Sequence, residues 1–166
     1  MKSLVDQFVL MAKPSTKEKK ACHLTELIQG IIYLLENQAN KANVKIEFPI
    51  TKDVTCQVDE SQIKQVLMNL IQNAIEATPP NGLIKISLSE TIIEATEFVR
   101  IQVEDTGEGM TSSQIANVFT PFFTTKENGL GLGLAICKQI IEGHRGMLDV
   151  TSRKDDGTTF SILLPK

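Results

Sequence analysis

The segment VRIQVEDTGEG at residues 99–109 decides both the fold expected of this chain and the place of its chemistry. Apolar and polar side chains alternate from Val99 to Glu104, which predicts a strand with one buried face. The strand ends at Asp105, and the glycines that follow it let a ligand approach the backbone closely. An ordinary turn would use the same residues. The functional interpretation is that an adenine ring lies against the glycines and donates its amine to Asp105.

The rest of the chain supplies more strands and the helices to cover them. Alternating segments predict strands at 44–48, 54–58, 84–88, 147–153 and 158–164, and a turn near Glu94–Thr96 pairs the 84–88 and 99–103 strands as a hairpin. Apolar spacing predicts helices at 25–41, 60–78 and 132–142, with capping boxes at Asp59/Gln62 and Thr111/Gln114. Because the strands are apolar on one face only, we expect an α/β (α+β) fold: a two-layer sandwich with a mixed sheet of about five strands and helices on one face.

Two helices are predicted in the first part of the chain. The 25–41 helix places Leu27, Ile28, Ile31, Leu34 and Leu35 on one face, which is expected to be buried. Before it, residues 3–12 predict a short helix that Pro14 ends, and residues 15–20 read as a charged connector.

Two asparagines stand out in the 60–78 helix. Asn69 and Asn73 are spaced so that both amides lie on one helical face. Asparagine is a poor residue for a helix interior, because its side chain competes for backbone hydrogen bonds. A solvated polar face is the ordinary explanation. The functional one is that Asn73 offers its carbonyl oxygen to a magnesium ion that bridges nucleotide phosphates.

Two further motifs follow in the second half of the chain. The sequence GLGLGL at 129–134 directly precedes a helix, where glycines and free backbone amides suit a phosphate, although a flexible hinge would look the same. The sequence FTPFFTTK at 119–126 joins an apolar anchor to a cationic tip. The aromatic residues either anchor a loop in the hydrophobic core or belong to a lid whose Lys126 reaches a terminal phosphate.

Composition excludes several other classes. The 166 residues suit one domain, and a net charge of −3 with no Trp and one Tyr argues against a nucleic-acid partner. The three cysteines are widely spaced and form no Cys/His cluster, so structural zinc is not expected. The chain shows no signal peptide and no membrane-length apolar run, which predicts a cytoplasmic domain. A longer parent protein could still be attached to the inner cell membrane.

Taken in order, these motifs resemble the C-terminal catalytic, ATP-binding domain of sensor histidine kinases of bacterial two-component systems. That family lies within the group of ATPases that includes gyrase, a heat-shock chaperone and the mismatch-repair clamp. The resemblance covers residues 24–166 and includes a closing Gly157-Thr158-Thr-Phe. It implies a protein-histidine kinase that uses ATP and Mg2+ and passes the γ-phosphoryl group to a histidine on a dimerisation hairpin, for relay to a response-regulator aspartate.

The resemblance also implies roles for particular residues. Asn73 would ligate magnesium, Asn69 would assist near the phosphates, and Lys126 would neutralise charge on the departing γ-phosphoryl group. Asp105 would bind the adenine amine. Gly107 and Gly109 would shape the wall beside the adenine, and Thr158 would contact the adenine side through a water. The remaining nucleotide-binding residues would be Thr124 and Thr125 in the lid, and Gly129, Leu130, Gly131, Leu132, Gly133 and Leu134 around the phosphates.

The chain departs from the family pattern in two respects. Glu76 stands where many members carry Lys or Arg, so a phosphate contact from that position is not expected. Neither His23 nor His144 has the sequence context of the phosphoacceptor, and His23 is placed in the connector. We therefore expect residues 1–20 to be the remnant of a dimerisation-hairpin helix with its linker, residues 21–166 to be the ATP-binding domain, and the piece to be monomeric without its own hairpin.

Three other functions share parts of this pattern. A hydrolytic ATPase or clamp of the same fold needs a carboxylate to activate water, and related hydrolases place a Glu where this chain has Asn69. A protein-serine kinase of the anti-sigma type would not need the helical remnant at residues 3–14. A contact module that has lost nucleotide binding would not need the intact motifs.

Overall fold

A five-stranded mixed sheet forms one layer of the domain. The computed structural model describes residues 18–50, 52–126 and 129–166. Within these ranges the strands are β1 (Lys20–His23), β2 (Lys45–Glu47), β3 (Thr55–Val58), β4 (Leu83–Ile93), β5 (Thr96–Asp105), β6 (Met147–Ser152) and β7 (Thr158–Pro165). The helices are α1 (Leu24–Ala42), α2 (Glu60–Ala77), α3 (Ser112–Asn117) and α4 (Gly133–Gly143).

The strand order is β2-β4-β5-β7-β6, with β2 parallel to β4 and every other pair antiparallel. The predicted hairpin is present: Ile93 pairs with Thr96, and Glu94 and Ala95 between them both have positive φ, as a two-residue hairpin turn requires. The register also sets Asp105 opposite Thr158. These two polar residues therefore lie side by side at one end of the sheet.

Three helices cover the apolar face of the sheet, which confirms the two-layer sandwich. Helix α2 packs against both α1 and α4, and it begins at Asp59, whose Oδ1 accepts a hydrogen bond from Gln62 N at 3.1 Å. The core contains side chains from both layers: Ile28, Ile31 and Leu35 of α1, Val66, Leu67, Leu70 and Ile71 of α2, Ile141 of α4, and Ile84, Ile86, Val99, Ile101, Phe160, Ile162 and Leu164 of the sheet.

Leu34 does not belong to the buried face of α1. Its side chain is 57% exposed, whereas Leu24 and Ala39, which the sequence did not single out, are buried. The buried stripe follows Leu24, Ile28, Ile31, Leu35 and Ala39, so Leu34 lies just outside it. The prediction of a helix here was correct, and the predicted width of its apolar face was too large.

The segment at 54–58 is a strand, but it lies outside the main sheet. It forms a separate antiparallel pair with β1, in which Cys22 lies opposite Cys56. The connector expected at 15–20 therefore ends in a strand, and His23 lies at the end of β1 instead of in a linker. The helix expected at 3–12 lies outside the described residues. Within the described residues, no helix has the length and apolar character needed to cross a membrane.

Candidate functional site

A cavity of about 640 Å3 opens between α2, the end of the sheet and residues 123–126 and 129–134. Every site residue predicted from the sequence lines it except Gly107: Asn69, Asn73, Asp105, Gly109, Thr124, Thr125, Lys126, Gly129, Leu130, Gly131, Leu132, Gly133, Leu134 and Thr158. These residues come from distant parts of the sequence. Their convergence on one cavity is what four motifs with a shared ligand require.

Asp105 forms the polar wall at the sheet end of the cavity. Its side chain is buried, and its Oδ1 accepts a hydrogen bond from Gly107 N at 2.8 Å. Burial raises the pKa of the carboxyl group, more than the backbone N–H groups of Gly107 and Thr158 lower it. Gly107 thus acts behind the wall: it orients the carboxylate without lining the cavity. The carboxylate is left with acceptor capacity toward a ligand.

The sheet end of the cavity also has an apolar wall, and its residues were not predicted from the sequence. Ala74, Ala77, Met110, Val118 and Phe160 also line the cavity, together with Glu108 and Gln114. Ala74 and Ala77 lie three apart on α2, next to the face that carries Asn73, and that spacing is a signal that could have identified them. Met110, Val118 and Phe160 carry no local signal, because the fold alone brings them together. An apolar slot with one buried carboxylate suits a flat heteroaromatic ring that carries an amine.

At the other end of the cavity, a chain of hydrogen bonds orients the two asparagines. Asn69 Nδ2 donates to Cys137 Sγ at 3.4 Å, and Asn73 Nδ2 donates to Asn69 Oδ1 at 3.3 Å. Burial raises the pKa of the Cys137 thiol to about 12, so the sulfur is a neutral acceptor here. Since the Asn73 amide nitrogen is used within the protein, its Oδ1 is the atom that faces the cavity.

Helix α4 begins directly beside this pair. A Cβ at Gly133, its first residue, would lie 2.4 Å from Asn69 Nδ2. Only glycine therefore allows the start of α4 to approach α2 so closely. Gly133 and Leu134 of the first turn of α4 line the cavity, and the free amides and dipole of a helix N-terminus favour an anionic group.

The 119–126 segment closes one side of the cavity. Phe119 packs edge-on against Phe160, with ring centroids 6.3 Å apart, and Phe122 N donates to Gly131 O at 2.8 Å. Lys126 Nζ donates to Asn73 Oδ1 at 2.9 Å and forms an ion pair with Glu76. The Lys126 amine therefore occupies the position next to Asn73 where a magnesium ion was expected from the sequence.

The donor set fits a magnesium nucleotide. Mg2+ takes oxygen ligands and retains waters and phosphate oxygens, so one protein amide oxygen at Asn73 is sufficient. Within the described residues, no cluster of three His, Cys, Asp or Glu side chains could hold a metal without the nucleotide. Asp105 is the acceptor that an adenine amine needs. Because Asn69 is an amide, it cannot take a proton from water, which disfavours a hydrolase built on that position.

The sequence profile of the family described as "Histidine kinase-, DNA gyrase B-, and HSP90-like ATPase" matches residues 58–166. This chain belongs to that family. Within the family, its structure resembles the catalytic domain of histidine kinase ThkA in a nucleotide-free form, with a TM-score of 0.81 and 38% identity over 90% of this chain and 97% of that one. The fold and the sequence together place the chain among histidine kinase catalytic domains.

Curated relatives give the same assignment. Sporulation kinase C of Bacillus subtilis (strain 168) is 36% identical over 164 residues, which cover 98% of this chain and 37% of that protein. Sensor histidine kinase ZraS of Escherichia coli (strain K12) is 35% identical over 163 residues, which cover 98% of this chain and 34% of that protein. The chain thus spans little more than a third of the length of these kinases.

Proposed function

We propose that this chain is the ATP-binding catalytic part of a two-component sensor histidine kinase, which passes the γ-phosphoryl group of ATP to a histidine on a dimerisation hairpin. One observation carries the proposal: Asp105, the Asn69–Asn73 pair and the lid with Lys126 line a single cavity in a member of the histidine kinase family. Phosphoryl transfer needs little covalent chemistry from the protein. It needs positioning and charge neutralisation, which this residue set can supply.

Each residue has a separate task in this scheme. Asp105 would accept the adenine amine, and Thr158 would contact the same edge of the base through a water. Asn73 would hold Mg2+ through Oδ1, Asn69 fixes the orientation of Asn73, and the first turn of α4 faces the phosphates. The metal would supply positive charge that offsets the negative charge of the phosphates. Lys126 must leave Asn73 for this arrangement, and it then neutralises the γ-phosphate from the lid side.

The proposal extends to the organisation of the parent protein. Residues 1–20 would be the remnant of the dimerisation hairpin with its linker, and residues 21–166 the catalytic domain. The hairpin and a response-regulator receiver domain would be its partners. A solved structure of histidine kinase ThkA in complex with response regulator protein TrrA supports this, since its matching chain is 33% identical to this one over 98% of this chain and 47% of that chain. The domain would work in the cytoplasm. Without the hairpin it would be monomeric, and a tight dimer in sedimentation at micromolar concentration would refute that.

Calorimetric titration with a non-hydrolysable ATP analogue tests nucleotide binding. We expect saturable one-to-one binding that requires Mg2+. In Asp105→Asn the loss of a hydrogen bond to a charged acceptor should weaken binding by about tenfold to a hundredfold. Asp149→Asn, which makes the same change at an exposed position of β6 away from the cavity, should leave binding unchanged. Equal binding by wild type and Asp105→Asn would contradict the assignment of Asp105.

Phosphoryl transfer requires its own test. A separately supplied histidine hairpin from a sporulation kinase should become labelled from γ-labelled ATP, with a bond that resists base and breaks in acid. Appreciable ATP hydrolysis with no labelled hairpin would favour a hydrolytic ATPase. A label that survives acid would indicate a serine kinase of the anti-sigma type.

A further inference from the structure

His144 is a buried histidine that joins the end of α4 to the start of α2. It directly follows the last residue of α4 and is only 4% exposed. Its Nε2 lies 3.0 Å from the backbone nitrogen of Asp59, the residue that caps α2. Its Nδ1 lies 2.8 Å from the carbonyl oxygen of Ile140, one turn back in α4. The imidazole therefore bonds to the backbone of both helices.

The two partners determine which nitrogen of the ring carries the hydrogen. A backbone N–H can only donate, so Nε2 is the nitrogen that offers a lone pair to Asp59. A carbonyl oxygen can only accept, so Nδ1 is the nitrogen that donates to Ile140. The bonded form of His144 is therefore the neutral ring with its hydrogen on Nδ1.

The other ends of the same two helices meet where Asn69 lines the cavity. Asn69 of α2 donates to Cys137 of α4, and a Cβ at Gly133, the first residue of α4, would lie 2.4 Å from Asn69 Nδ2. Because Asp59 contacts His144 and Asn69 contacts Gly133, the two helices are antiparallel. The two contacts are ten residues apart along α2 and eleven along α4, which is about 15 Å along either axis.

The contact at Gly133 leaves α4 little room to slide along α2. A helix moves as one unit, because each backbone N–H is bonded to the carbonyl four residues before it. A shift of α4 would therefore press Gly133 against Asn69 or draw it away. Asn69 Oδ1 accepts the hydrogen bond that orients Asn73, at 3.3 Å, so the shift would also reach Asn73. The bond between His144 and Asp59 opposes this shift from the far end.

We propose that His144 is a positioning residue, which fixes α4 against α2 through Asp59 N and thereby sets the orientation of Asn69 and Asn73. The inference rests on the proposed function, since it assumes that Asn73 binds Mg2+ and that the first turn of α4 faces the phosphates. His144 does not line the cavity, so it acts only through the helices. Its two hydrogen bonds use both ring nitrogens, and neither is available to a phosphoryl group.

Two amide variants separate the two hydrogen bonds of the ring. In His144→Gln the side chain is long enough to present its oxygen to Asp59 N in place of Nε2. In His144→Asn the shorter side chain can still donate to Ile140, but Asp59 N loses this partner. Calorimetric titration with a non-hydrolysable ATP analogue and Mg2+ compares them. We expect the dissociation constant to rise about fivefold in His144→Asn, the worth of one ordinary hydrogen bond, and to stay within about twofold of wild type in His144→Gln.

The side-chain amide signals of Asn69 and Asn73 in NMR spectra give a readout that a loss of stability alone does not change. Without nucleotide, both signals should shift in His144→Asn and keep their wild-type positions in His144→Gln. The backbone amide of Gly109, at the sheet end of the cavity, should not shift in either variant. The control is Ile31→Val, which removes one buried carbon from α1: it should lower stability toward urea and leave the affinity and both asparagine signals unchanged.

The wild-type chain tests the hydrogen bond without any variant. A scalar coupling between Asp59 N and His144 Nε2 should be detected across the bond, and a hydrogen on Nε2 would overturn the inference. Wild-type asparagine signals and affinity in His144→Asn would also overturn it, and so would equal effects of the Asn and Gln variants. These results leave the proposed function intact. A wild-type chain that binds no nucleotide would overturn the proposed function and this inference together.

Discussion

We predict that Glu76 opposes nucleotide binding, because its carboxylate holds Lys126. Its carboxylate forms an ion pair with Lys126, while Lys126 Nζ also bonds Asn73 Oδ1 at 2.9 Å. Under the proposed function, a nucleotide would engage Asn73 and Lys126 only after these contacts break. Glu76→Gln removes one of them and one negative charge from the cavity wall, so we expect it to tighten binding of Mg-ATP.

The size of the gain follows from the exposure of the pair. The side chains of Lys126 and Glu76 are 46% and 48% exposed, so water and salt screen their attraction. Half-exposed ion pairs contribute about 0.5–1 kcal/mol, which corresponds to a gain in affinity of about two- to fivefold. Calorimetric titration at low and high ionic strength measures it. The gain should shrink in high salt, because screening already weakens the pair in the wild type.

A different role for Glu76 would reverse the result. If its carboxylate were a second oxygen ligand for Mg2+, Glu76→Gln would weaken magnesium-dependent binding instead of tightening it. A loss of tenfold or more would therefore refute this reasoning. Glu36→Gln removes the same charge from an exposed position on α1 and controls for the change in net charge.

Three further predictions concern the pH dependence, the backbone and the thiols. Because burial raises the pKa of Asp105 and the ionised carboxylate accepts the amine more strongly than the neutral acid does, affinity for ATP should rise with pH through a midpoint above the ordinary aspartate value, and the Asp105→Asn titration should be flat. In that same window the stability of the nucleotide-free chain should fall as pH rises, since the folded chain then binds more protons than the unfolded one. Gly109→Ala should lower the free energy of unfolding in urea by at least about 1–2 kcal/mol, because φ is +62° and the new Cβ would lie 1.9 Å from a backbone carbonyl oxygen. The control is Gly30→Ala, which should not destabilise the chain because a Cβ there has nothing within 4 Å. Burial raises the pKa of Cys22 to about 11 and that of Cys137 to about 12, so at pH 8 both should react with an aromatic disulfide reagent at least about a hundredfold more slowly than in the denatured chain.

The sequence predicted those parts of the fold that local patterns determine. Alternation located β4, β5 and β7, and the caps at Asp59 and Thr111 located the starts of α2 and α3. The pairing of β1 with β3 was missed because β1 has one buried side chain, Cys22, and its pairing partner lies more than thirty residues away. No local signal can identify such a strand.

The site was predicted in the same uneven way. The motif residues were found because glycine, asparagine and aspartate are conspicuous in helices and at strand ends. The position of Lys126 was not, since its contact with Asn73 and Glu76 spans some fifty residues.

The pairing of β1 with β3 provides a path along which force on the chain can be transmitted to α2. A pull on the chain before Lys20 would load β1, and the backbone hydrogen bonds to β3 would carry that force across to the second strand. β3 leads directly into Asp59 at the start of α2, and Asn69 lies ten residues farther along, about 15 Å up the helix axis. Tension in the preceding segment would thus reach the start of the helix that carries Asn69 and Asn73.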